Sequence, residues 1–90
     1  MNSRVPILVE WEQDGERQSK ETHTRIVGPF GCLVVLPQNL EVDQHVHVTN
    51  QINKQSSAGV IVWRGHERPE GWEMGIELIH SQTDFWGIDL

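Results

Sequence analysis

The sequence predicts a small, mainly all-β domain: five or six short antiparallel strands rolled into a barrel, with a short helical turn at the C-terminal end. Three observations carry this. Residues 72–78, Trp-Glu-Met-Gly-Ile-Glu-Leu, alternate apolar with polar or small side chains at every step, the period of a strand with one face buried. No long helical periodicity occurs, and turn signals separate every apolar run. Finally, 90 residues suffice for one core only, and closing the sheet removes the exposed edges a lone meander would leave.

The elements follow in order. Val5, Ile7, Val9 and Trp11 share one face of a first strand, and Pro6 suits a strand entry or an edge. Asp14-Gly15 is a hairpin signal. Residues 21–27 resume the alternation, with Thr22, Thr24 and Ile26 on one face and His23, Arg25 and Val27 on the other. After Gly28-Pro29-Phe30-Gly31 breaks that strand, Cys32 to Leu36 is apolar on both faces and too short for a helix. Pro37 ends it. In 45–49 the valines face one way and His45 and His47 the other. Residues 58–63, Ala-Gly-Val-Ile-Val-Trp, read as a strand buried on both faces. Residues 65–71, with glycine at each end, a proline and four ionisable side chains, read as a solvated turn into the strand at 72–78. Ser81-x-x-Asp84 has the spacing of a helix start, followed by Phe85 and Trp86, which are expected to plug one mouth of the barrel. One domain spans 1–90.

Thirteen acidic against seven basic residues give a net charge of -6, which disfavours nucleic-acid polymers and anionic membranes as partners. The single cysteine, Cys32, forms no internal disulfide. With no signal-peptide pattern and no run of membrane-spanning length, the expected location is cytoplasmic.

The order of these pieces is similar to that of a known family. A start of Arg4-Val5-Pro6-Ile7, a Gly31-Cys32-Leu33-Val34-Val35-Leu36 strand after a tight turn, Val60-Ile61-Val62-Trp63, Gly75-Ile76-Glu77-Leu78 and a closing Asp84-Phe85-Trp86-Gly87-Ile88 resemble a PilZ domain from about Arg4 to Ile88. The resemblance implies a six-stranded antiparallel barrel with a terminal helix, in a bacterial signalling family whose members often bind cyclic di-GMP. It also marks where this chain departs. The family's ligand readers carry Arg-x-x-x-Arg before the first strand, and here Arg4 stands alone. Their Asp/Asn-x-Ser-x-x-Gly motif falls on 26–31, where Ile26 and Gly28 replace the polar positions and Gly31 remains. At roughly 1.5 to 3 kcal/mol for each charged hydrogen bond lost, such a site loses several kcal/mol.

The leading expectation is therefore a PilZ-like regulatory module that has lost its nucleotide and works by protein contact, with Arg64, His66, Glu67, Arg68 and Trp86, together with any exposed part of Trp63, as the interaction surface. The alternative is a cyclic di-GMP receptor using Arg4, Gly28 and Gly31. A third reading takes His45 and His47, two apart on a strand, as the start of a metal site, joined by His23 if its strand pairs suitably. Each residue also has a plainer role: Arg4 as a strand-end charge, Gly31 for close backbone approach, Gly75 for a bulky neighbour, the four tryptophans as core mass, and Cys32 as a buried inert thiol. No resident cofactor and no enzyme is expected, because no nucleophile, paired-carboxylate or phosphate-loop pattern occurs.

Overall fold

The computed structural model describes residues 2–79 and 85–87. Six strands form a closed antiparallel barrel: β1 (Pro6–Gln13), β2 (Glu16–Gly28), β3 (Gly31–Leu36), β4 (His45–Asn50), β5 (Ser56–Arg68) and β6 (Gly71–Leu78), in the spatial order β1-β2-β3-β6-β5-β4 with β4 returning to β1. Strand β2 closes the barrel in two halves, residues 16–23 pairing with β1 and residues 24–28 with β3. Pro6, whose ring cannot donate to a ladder, begins β1, where its carbonyl accepts from Gln51 N–H.

Local chemistry explains the turns. Asp14 and Gly15 both have positive φ, 53° and 79°, the two-residue geometry whose twist matches that of paired strands. Gly28 pairs directly with Gly31, leaving Pro29 and Phe30 at the tip. The β5–β6 hairpin corrects the reading of 65–71 as a loop. Its ladder runs on to Arg68 and Gly71, so only Pro69 and Glu70 turn the chain. Gly71 has φ 145° and lies against the carbonyl of Leu36, a place no Cβ fits.

The inward positions fill the barrel with Ile7, Val9, Trp11, Val27, Val34, Leu36, Val46, Val48, Ile61, Met74, Ile76 and Leu78. Trp72 packs against this core from a half-buried position, and Leu40 packs into it from the β3–β4 connection. A plug closes one end. The side chains of Phe85 and Trp86 are buried and meet edge to face at 4.9 Å. Trp86 Nε1 donates to the carbonyl of Gly28, and fully buried Asn50 donates to the carbonyl of Phe85, both at 2.9 Å. The helix start expected at 81–84 lies outside the described residues.

Two strands depart from simple alternation, and the departures matter for the surface. A bulge between Thr24 and Ile26 in β2 inserts one residue, so Val27 turns into the core and Ile26 turns out. The expected grouping of Ile26 with Thr22 and Thr24 is thereby overturned. In β5, irregularities between Ile61 and Trp63 and between Arg64 and Glu67 do the same. Val62 and Trp63 both face outward, against the expectation that 58–63 is buried on both sides.

Candidate functional site: the outer face of the barrel

The cross-strand register defines a continuous row on the outside of the barrel. Ile26 of β2 pairs with Leu33 of β3, Leu33 with Gly75 of β6, and Gly75 with Trp63 of β5. Side chains directly opposite one another on neighbouring strands share a face, so three apolar side chains and one glycine cross four strands in line. Ile26 is 43% exposed and Trp63 48%. That corrects the assignment of Trp63 to the core mass, where Trp11 and Trp86 do belong.

Glycine positions explain how an indole comes to lie on the outside. A Cβ on Gly75 would stand 3.2 Å from Trp63 Cβ, and one on Gly65 would run into Trp63 Cη2 and Cζ3. The indole therefore takes up the space that side chains at Gly65 and Gly75 would need. Beside it Glu73 fixes the bulge. Its carboxylate accepts from Arg68 Nε and Nη2, at 2.8 and 2.6 Å, and from the backbone N–H of His66 at 3.1 Å. The Arg68 hydrogen bonds, followed by that from His66, hold the Glu73 carboxyl below its ordinary value. Across the β5–β6 turn, Arg25 faces Glu70 at 3.8 Å.

The sequence-predicted interaction residues divide. His66, Glu67 and Arg68 are exposed on this hairpin. Arg64 turns away to bond Asn39 and Glu41 in the β3–β4 connection. Trp86 is 5% exposed and is part of the end plug, because its indole N–H needs the Gly28 carbonyl and its ring fills the barrel mouth. It offers no contact surface.

The residues expected to hold a dinucleotide have structural employment. Residues 3 to 5 are tied to β2: Val5 N–H donates to Thr24 Oγ1 at 2.9 Å, and that hydroxyl donates to the Ser3 carbonyl. Arg4 between them is exposed. Gly31 lies so close to the Ile76 carbonyl that a Cβ would collide with backbone, which accounts for this glycine without a ligand. Gly28 is in open space and lends its carbonyl to Trp86. Cys32 is buried, and burial pushes its thiol up to about 12, so the thiol stays neutral and poorly nucleophilic.

The histidines also separate. His45 and His47 share the outer face of β4, with Glu10 of β1 directly opposite His47. His23 stands opposite Pro6, four residues further back along β1, and does not join them. A hollow of about 370 Å³ is lined by Glu10, Glu12, Arg17, Gln44, His45 and His47. A second, of about 450 Å³, lies by Pro6, Glu21, His23 and Gln51. Neither takes in Arg4, Gly28 or Gly31. Among the described residues, no three His, Cys, Asp or Glu side chains already converge on one point.

Comparison with protein-family models, curated proteins and solved structures finds no match. The outward row was not legible in the sequence, where Val62-Trp63 looked like core. The one available signal was glycine at 65 and 75 flanking a tryptophan.

Proposed function

We propose that this chain is a PilZ-like regulatory module that no longer reads cyclic di-GMP and acts by contact with a protein partner. The observation that supports this reading is the Ile26–Leu33–Gly75–Trp63 row. Exposed aromatic and aliphatic side chains in line, rimmed by ion pairs, have the make-up of an interface centre with a polar rim. The row also occupies the position where a nucleotide-reading relative would carry polar groups, since Ile26 stands at the first place of the Asp/Asn-x-Ser-x-x-Gly motif. An exposed isoleucine there offers a partner apolar area and offers a guanine or phosphate no hydrogen bond.

The competing reading keeps the dinucleotide, and exposed Arg4 is what favours it. Calorimetric titration with cyclic di-GMP separates the two. The proposal expects no measurable heat at low micromolar ligand. Saturable heat that Arg4→Ala abolishes overturns it.

A further inference from the structure

We propose that the opposite side of the barrel carries a divalent transition-metal site, formed by His45 and His47 of β4 with Glu10 of β1, that takes zinc or copper(II). This inference is independent of the protein-contact reading. Three observations converge on it. Register places Glu10 directly across from His47, and His45 lies two residues along on the same outer face. His47 Nδ1 is shut off from solvent, has no hydrogen-bond partner, and stands 3.6 Å from Glu10 Oε1. The same three side chains line the hollow of about 370 Å³, which leaves room for an ion with bound water.

The donor set selects the metal. Two imidazoles and a carboxylate suit zinc and copper(II), whereas magnesium and calcium prefer all-oxygen sites. As the side chains stand, Glu10 and His47 already approach each other, and exposed His45 completes the set by rotating its own χ angles on an unmoved strand. Glu12 lines the same hollow and supplies further negative charge. Arg17 opposes the metal, because its Nε lies 3.6 Å from the second oxygen of Glu10 and competes for that carboxylate.

That competition gives the test a signature that generic histidine binding lacks. The full chain is titrated with zinc chloride, magnesium chloride serving as control, while the imidazole resonances are followed by NMR. The expected result is one zinc per chain, with shifts at His45 and His47 and none at His23 or His66. His45→Ala and His47→Ala are each expected to weaken binding by about tenfold or more, and Arg17→Ala to strengthen it. These positions face outward, so circular dichroism serves to show that the variants keep the barrel. Zinc uptake unchanged in the His45→Ala/His47→Ala double variant, or no uptake at millimolar zinc, overturns the proposal.

Discussion

The outside of this barrel differs from one half to the other while the inside stays uniform. On the β1–β4 half the outward positions include Leu8, Glu10, Glu12, His45, His47 and Thr49, mostly polar, and strand alternation runs without interruption. On the β2–β3–β6–β5 half they include Ile26, Leu33, Gly75 and Trp63 in line, with Glu73 and Glu77 beside them, and both outer strands of that set are bulged. The difference teaches what a bulge does: one inserted residue moves apolar side chains from the core to the surface without changing the fold. Evenly alternating strands keep their valines in and set mostly polar side chains out, Leu8 being the apolar exception. The bulged strands set a tryptophan in water.

That contrast can be broken most forcefully by comparing two tryptophans. Trp86→Ala empties a buried plug and strips the Gly28 carbonyl of its donor, so it is expected to cost about 3 to 5 kcal/mol. Trp63→Ala removes a half-exposed ring beside Gly65 and Gly75 and is expected to cost about 1 kcal/mol. Urea denaturation of the two variants measures both, and equal losses would mean that Trp63 is structural after all.

A smaller effect sharpens the account of the rim beside Trp63. Because its partners depress the Glu73 carboxyl below the ordinary 4.5, the ion pair contributes fully above that pH, and the contribution is lost as pH falls through the folded value. Glu73→Gln is therefore expected to flatten the acid limb of the stability curve below pH 4.5, as followed by thermal melts across pH. A limb of unchanged slope would contradict the Arg68–Glu73 contact.

How far the sequence could be read follows the same division. The barrel was legible because period-2 alternation in 5–11, 45–49 and 72–78 has one structural meaning, and Asp14-Gly15 fixes its own hairpin. The outer row was not, because Ile26 and Trp63 reach the surface through bulges, and nothing in Thr24-Arg25-Ile26 or Ile61-Val62-Trp63 announces an extra residue. The 65–71 segment misled for a related reason: glycine, proline and charge suggest a loop, yet at Gly65 the missing side chain makes room for Trp63, and at Gly71 for the Leu36 carbonyl. Trp86 looked available beside the chain end until its indole N–H found a backbone carbonyl. Pairing across strands brought Glu10 to His47 from nearly forty positions away, a proximity no local motif encodes.

The most direct measurement of the central claim is site-specific photocrosslinking in the cells the chain comes from, with a photoreactive amino acid placed at position 63 or, as the contrasting arm, at position 19 on the outer side of β2. The account predicts one dominant protein adduct from position 63, lost when Ile26 is also changed to Asp, and no such adduct from position 19. No adduct from position 63, or the same adducts from both positions, would contradict it.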